Sequence, residues 1–553
     1  MPPVATAAPE VTSVELHDPG VYPVFRRAPI SPAFAIKLNC TGDGNLPIPE
    51  KVSFNISNPK AVEVVRLRLS DQSGLKFADD TVLAEGKPSG VGVVLKKTSE
   101  TVSAAGENWL WVDVQLSKKA PIGGLLTFSD VEVTLKGKKT ELEGEITQRM
   151  GYMVAVPGEE VEGRACKAFR IPGLIRSKKG TLIGCFDARY DHERDLCADI
   201  DVAVVRSEDG GQTWSVPKIG MDAGPGGNNG CGDPCIVQDK KGRIWMQALA
   251  CHFAGGASLN VSKTGLDPAT TGQWEMVYSD NDGKSWSKEP VNPTKDIKKP
   301  EWTTILAGPG NGITLKDGTI VFPAQIWQNG ANPRCMSTIC YSQDGGKKWH
   351  YGKGVPHSTS ECQVVELNDG GIMINCRNEA RQGNRIVYVT KDLGETWEPH
   401  ATNNCTLREP TCQASIIRFK TKKHDLLLFS NPKSGGRNNM TVRYSEDDGI
   451  TWSDGYLYDT RNCMGYSCLA MIDSKNVGVF YETSHSLPGC GERGICFLSF
   501  PLESIMTGEH LPVKLSNKKK GADAAEGDNA DTEKKKGKKK KGKKKGKKDT
   551  QEA

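Results

Sequence analysis

Ser207-Glu208-Asp209-Gly210-Gly211-Gln212-Thr213-Trp214 returns four more times along the chain, in copies that end at Trp286, Trp349, Trp397 and Trp452. Aligned on the tryptophan, the template is Ser/Thr-x-Asp-x-Gly-x-Thr/Ser-Trp. Asn281 replaces the aspartate in the second copy, and Lys348 replaces the hydroxyl residue in the third. The first positions lie 72, 63, 48 and 55 residues apart. A fixed local motif at an irregular long period marks one repeated supersecondary unit joined by loops of variable length. Aspartate beside glycine favours a tight turn, because glycine accepts positive φ and the carboxylate can bond its own backbone, while tryptophan pins the turn to a packed sheet. Each copy is therefore read as a hairpin turn in one blade of an all-β propeller. The repeat region, residues 154–512, divides by this spacing into six blades, one of them without the motif.

Outward from the repeats, residues 21–150 alternate polar and apolar in short runs at 33–38, 51–56, 62–69, 109–114 and 131–135, each bounded by turn residues. That pattern predicts a β-sandwich, with packing and spacing as its plain role and carbohydrate binding as the alternative. Residues 1–20 read as a flexible leader. Residues 513–553 run into a Lys/Gly-rich tail that cannot bury enough apolar surface to fold.

Charge follows the same division. The formal net charge of +5 hides a tail whose 15 Lys against 7 acidic residues in 518–553 give +8, leaving 5 − 8 = −3 for the rest. Without interleaved aromatics the tail does not predict specific nucleic-acid recognition; loose contact with anionic surfaces fits it better. No apolar run is long enough to be a transmembrane helix. Seventeen cysteines, an odd number, read as free thiols of a reducing compartment, and Cys231-Gly232-Asp233-Pro234-Cys235 has no second pair to complete a zinc site. The N-terminus lacks a secretory pattern, and the sequon at Asn439 lies two residues from Arg437, so an intracellular protein is expected, reversing to secreted or lysosomal if the N-terminus is incomplete.

A propeller gathers loops from every blade at one funnel, so functional residues should be dispersed in sequence. Three arginines stand in distinctive contexts: Arg170 in Phe169-Arg170-Ile171-Pro172, Arg377 in Asn375-Cys376-Arg377-Asn378, and Arg437 in Gly435-Gly436-Arg437-Asn438. Taken singly, each reads as a surface or ion-paired side chain. An acidic loop, Asp187-Ala188-Arg189-Tyr190-Asp191-His192-Glu193-Arg194-Asp195, follows the first.

Phe-Arg-Ile-Pro just before a set of Asp-box turns resembles the bacterial-type sialidases (neuraminidases) of glycoside hydrolase family 33, and the resemblance covers the whole repeat region. It implies a six-bladed propeller that cleaves terminal sialic acids from glycoproteins, glycolipids and oligosaccharides, without metal or other cofactor. Arg170, Arg377 and Arg437 would grip the substrate carboxylate, for which planar, permanently charged guanidinium groups are suited. Asp195 would be the acid/base, with Asp191 and Glu193 as competitors, and Arg189 an auxiliary contact to the sugar. As an acid Asp195 would need a raised pKa. Tyr466 in Met464-Gly465-Tyr466-Ser467 would be the nucleophile, activated by Glu361, with Glu366 as the alternative. A neutral phenol avoids the repulsion that a carboxylate nucleophile would meet from the substrate's own carboxylate. Asp233 would bond the sugar's substituents, although Gly-Asp-Pro is also good turn chemistry. Met246, Phe253, Trp302 and Trp327 are wall candidates not separable from core residues. A trans-sialidase, an intramolecular trans-sialidase and a non-catalytic sialoglycan-binding propeller are the rival readings.

Overall fold

All five tryptophan turns close the same hydrogen-bonded loop. In the first, Gly211 N donates to Ser207 Oγ at 2.8 Å, Ser207 Oγ donates to Asp209 Oδ1 at 2.8 Å, and Thr213 N donates to Asp209 Oδ1 at 2.9 Å. Ser279 and Asn281, Ser342 and Asp344, Thr390 and Asp392, and Ser445 and Asp447 repeat the arrangement. In the fourth turn the hydroxyl and N–H of Thr396, followed by the Thr390 hydroxyl, hold the Asp392 carboxyl down at about 2. Beneath the first turn Trp214 packs on Phe480 and Phe497, with ring centroids 4.8 and 5.1 Å away.

The computed structural model describes residues 10–42, 46–70, 82–97, 102–103, 105–224, 226, 229–253, 259–330, 334–483 and 493–515. The fold is all-β, with only short helices among the described residues. Strand Ala168–Arg176 begins an antiparallel four-stranded sheet that continues through Leu182–Arg189, Ile200–Ser207 and Lys218–Met221. Four-stranded antiparallel sheets also start at Thr359–Glu366 and Ser415–Lys420, the sheet that starts at Thr304–Ala307 has a fifth strand, and the one that starts at Gly230–Gln238 takes Gly310–Asn311 as a parallel fourth strand. In the last sheet, Ser467–Met471, Asn476–Thr483 and Gly494–Pro501 are completed by Ile146–Ala155, antiparallel to Gly494–Pro501. Every residue of Leu182–Arg189 is buried, so charged groups inside that strand need internal partners.

Ahead of these sheets, Glu10–His17, Pro32–Thr41, Gly106–Leu116, Val62–Ser70 and Val82–Gly86 form one sheet, and Leu125–Leu135, Lys51–Ile56 and Gly92–Lys96 extend from Ile146–Ala155 as another. The two share a core in which Phe34 meets Phe54 and Phe128 at 5.4 and 5.1 Å. The buried positions of Lys51–Ile56 alternate, as expected of a strand with one face on a core.

Three boundaries need correction. Residues 10–17 of the expected leader are a strand paired with Pro32–Thr41, because Val14 and Leu16 give it an apolar face that packs on the core. The division between residues 150 and 154 falls inside the continuous strand Ile146–Ala155, whose first half pairs with Leu125–Leu135 and whose second half pairs with Gly494–Pro501. At the other end, Val513 N donates to Gly123 O, so the expected tail begins later than residue 513; its bulk, 516–553, lies outside the described residues.

In each antiparallel sheet the start of the first strand, the end of the second and the start of the third share one edge. The tryptophan turns follow third strands and so lie at the opposite edge. Arg170, Asp233, Glu361 and Tyr466 stand at or beside the starts of first strands, Arg189 and Arg377 end second strands, and Asp195 and Arg437 lie between second and third strands. Topology alone brings all eight expected site residues to one edge.

Candidate active site

Bulges in the first strands of three sheets aim site residues. Pairing slips by extra residues between Arg170 and Gly173, between Gly232 and Cys235, and between Thr359 and Cys362. A bulge turns a side chain off the regular alternation of the sheet. Ile171 and Asp233, each immediately before a proline, hold φ of 61° and 55°. For a β-branched isoleucine that conformation is costly, on the order of 1–3 kcal/mol, and is sustained by the groups around it.

Those groups centre on Glu482, which is fully buried. Its carboxylate accepts Arg170 Nε at 3.0 Å, Arg170 Nη2 at 3.2 Å, the N–H of Ile171 at 2.9 Å and the N–H of Tyr466 at 3.2 Å. One carboxylate thus fixes both the guanidinium and the backbone of the tyrosine. Arg170 also lies over the Tyr466 ring at 5.0 Å, with Arg437 over the same ring at 5.7 Å.

The Tyr466 hydroxyl donates to Glu361 Oε1. Arg377 Nη1 donates to Glu361 Oε2 at 2.8 Å and to the Tyr466 hydroxyl at 3.1 Å, and Arg377 Nε lies 2.9 Å from Glu379 Oε1. Arg437 donates to the carbonyls of Met464 and Thr411 at 2.9 and 3.3 Å. Burial, then the Glu361 carboxylate, push the Tyr466 phenol well above its ordinary range, while Arg377, Arg170 and Arg437 pull it back. The phenol is therefore neutral at rest and has a base in contact to receive its proton.

Across the site, Arg189 is held by Asp187 Oδ2 at 3.1 and 2.8 Å, and its Nη1 donates to Asp195 Oδ1 at 2.9 Å and to the Glu193 carbonyl at 2.8 Å. Asp187 Oδ1 in turn accepts the N–H of Asp233 at 3.0 Å. Burial raises Asp187 to about 6 against the pull of Arg189. Asp233 lies well above the carboxylate range through burial and the charges of Asp187, Asp195 and Glu361. Its own carboxyl makes no hydrogen bond among the described residues, which leaves its oxygens available to a polar ligand.

The Asp195 side chain is 61 % exposed and its Oδ1 lies 3.6 Å from Arg170 Nη1. The raised pKa expected for this residue is not found. Desolvation acts upward, but the charges of Arg189 and Arg170 outweigh it and hold the carboxyl below its ordinary value.

All eight expected residues come together at this edge. Asp191 lies in the same loop and makes no ion pair among the described residues, Glu193 faces Arg493 at 3.2 Å, and Glu366 faces Lys316 at the far end of its strand, so Glu361 rather than Glu366 meets the phenol. The four wall candidates divide: Met246 and Trp302 are core residues between sheets, whereas Phe253 and Trp327 pack with Leu196 and Ala198 of the Asp195 loop. Sequence reasoning missed Glu482, Asp187 and Glu379. The signal for Glu482 was present: it follows the apolar run Val477-Gly478-Val479-Phe480-Tyr481, and a charge at the end of so buried a strand requires a fixed partner. Cys231 and Cys235 are buried in the strand Gly230–Gln238, all sixteen described cysteines are unbridged, and among the described residues no group of three or more His, Cys, Asp or Glu side chains is placed to hold a metal. Among the described residues no helix is long and apolar enough to cross a membrane.

A buried tyrosine bonded to a partly exposed glutamate and ringed by arginines, with a carboxyl opposite, is an arrangement suited to cleaving a glycoside that carries its own anionic group. Comparison with known proteins supplies the class. The BNR repeat-like domain matches residues 192–480. A sialidase of Bacteroides fragilis is 40 % identical over 397 residues, 68 % of this chain and 72 % of that protein. A sialidase of Clostridium perfringens is 34 % identical over 352 residues, 58 % of this chain and 87 % of its own length. Among solved structures, the Hadza microbial sialidase Hz136 matches with a TM-score of 0.77 and 34 % identity, over 89 % of this chain and all of that one. The chain belongs to the sialidases: it is a glycoside hydrolase of the bacterial exo-sialidase type.

Proposed function

We propose that the protein is a retaining exo-α-sialidase that hydrolyses terminal sialic acids from glycoproteins, glycolipids and oligosaccharides through a tyrosyl-glycosyl intermediate. The observation that carries this reading is the Tyr466 hydroxyl in contact with Glu361 at the centre of Arg170, Arg377 and Arg437. The three guanidinium groups hold the substrate carboxylate. Asp195, protonated, gives its proton to the glycosidic oxygen as the aglycone leaves. The phenol oxygen of Tyr466 attacks the anomeric carbon as its proton passes to Glu361. Asp195, now a carboxylate, takes a proton from water; the water oxygen replaces the tyrosyl oxygen, which recovers its proton from Glu361. Two displacements on one carbon retain configuration.

Charge explains the choice of nucleophile. Two anions about 4 Å apart repel by about 4 kcal/mol at an effective dielectric of 20, so a carboxylate would be opposed by the substrate's carboxylate where a neutral phenol is not. Asp233 and Arg189 would bond the sugar's substituents. The six sheets are read as blades of a propeller whose last blade is closed by Ile146–Ala155, and the preceding layers as a β-sandwich.

Turnover of a fluorogenic α-sialoside tests the activity, and proton NMR of the first sugar released tests the stereochemistry. Initial release of the α-anomer supports the proposal; the β-anomer or an anhydro sugar contradicts it.

A further inference from the structure

We propose that Arg493 is a positioning residue for Asp195, clamping the acid/base loop of the first sheet to the last; the inference rests on the sialidase reading above. Asp195 belongs to the stretch between Leu182–Arg189 and Ile200–Ser207, which contains no strand, and its side chain is largely exposed. No sheet ladder therefore fixes the backbone that carries it; Arg189 Nη1 meets the carboxyl at 2.9 Å, but the loop itself has to be held otherwise. That task falls to the Glu193 carbonyl, which accepts two guanidinium groups, Arg189 Nη1 at 2.8 Å and Arg493 Nη1 at 2.8 Å. Arg493 Nη2 also lies 3.2 Å from Glu193 Oε1, so the arginine holds both the backbone and the side chain of that residue.

Arg493 is itself anchored. Its carbonyl accepts the N–H of Phe169 at 2.8 Å, one residue before Arg170. The clamp thus joins the strand that presents Arg170 to the loop that presents Asp195, and it governs the 3.6 Å separation of Arg170 Nη1 from Asp195 Oδ1. Arg189 cannot do this alone. Its Nε and Nη2 are spent on Asp187, and its Nη1 is shared between the Glu193 carbonyl and Asp195. A general acid must meet the glycosidic oxygen at hydrogen-bond distance, so a loop displaced by about 1 Å forfeits much of its effect.

A proton donor matters most when the leaving group is a poor one. From sialyllactose the lactose leaves as a sugar alkoxide unless it is protonated, whereas from 4-methylumbelliferyl sialoside the 4-methylumbelliferone leaves as a stabilised phenolate and needs little help. In Arg493→Met, kcat/KM on sialyllactose should fall about 10- to 100-fold further than on the aryl sialoside, part of the 10²–10⁴ that general acid catalysis supplies. Arg493→Lys, which can still reach the Glu193 carbonyl with one donor but loses the fork, should show the same selectivity at smaller size, and serves if the methionine variant does not fold. Equal losses on the two substrates, or none on either, would overturn the proposal. Wild-type protein that turned over neither substrate would instead refute the sialidase reading on which it rests.

Discussion

Tyr466 and Glu361, 105 residues apart in sequence, meet through a hydrogen bond in which the phenol donates to the carboxylate, and Arg377 Nη1 donates to both partners. On the proposed mechanism Glu361 is the base, already in contact with the proton it removes, and the arginine stabilises the negative charge on whichever oxygen carries it. Glu361→Gln keeps the volume but loses the base. Its kcat should fall about 10²- to 10⁴-fold, with a smaller change in KM, measured on an aryl sialoside.

Asp195 carries a second consequence. Desolvation favours its protonated form, but Arg189 and Arg170 hold it ionised in the free protein. A substrate carboxylate arriving at Arg170 neutralises one of those cations, so the Asp195 pKa rises on binding and the site must take up a proton. Calorimetric titration with an unreactive sialic acid analogue around pH 5, in buffers of different ionisation enthalpy, should show uptake approaching about one proton, with affinity falling as pH rises. Asp195→Asn should abolish the uptake; proton release by the wild type would contradict this account.

Glu482 compensates Arg170 in a fully buried setting while accepting two backbone N–H groups. Replacing it by alanine leaves a buried charge without its partner, which typically costs about 3–5 kcal/mol. Thermal unfolding should shift down accordingly, and the milder Glu482→Gln should fold but raise KM, because Arg170 is no longer held in place.

Far from the site, Gly211 has a φ of 88°, and a Cβ there would stand 2.0 Å from Phe497 Cε1. Gly211→Ala should therefore lower stability by about 1–3 kcal/mol through overpacking and backbone strain, while kcat/KM measured well below the melting temperature stays near the wild-type value. A large loss of activity in the folded variant would show that the turn edge and the site edge are coupled.

The parts of the molecule that could be read in the sequence are those with a local signature. The five tryptophan turns announce themselves because their whole hydrogen-bond circuit lies within eight residues, and Arg170 and Tyr466 sit in short distinctive contexts. The supports were not readable in this way. Glu482 serves Arg170 from 312 residues away, and Arg493 reaches Glu193 from 300, so no window of sequence contains both members of either pair. The strand Glu10–His17 was missed for a related reason: its apolar positions are few, and its partner strand, Pro32–Thr41, supplies the reason for it to be ordered. The protonation state of Asp195 depends on three arginines, Arg189, Arg170 and Arg493, whose placement around it only the folded loop determines.

The central claim is that Tyr466 forms the glycosyl-enzyme bond, and covalent trapping tests it most directly. Incubation with a 2,3-difluorosialic acid donor, followed by intact-mass measurement and peptide mapping, should give one added sugar on the peptide that contains Met464-Gly465-Tyr466, located at the tyrosine and absent in Tyr466→Phe. An adduct on Glu361, Asp195 or any other residue, or a Tyr466→Phe variant that retains turnover and labelling, would contradict it.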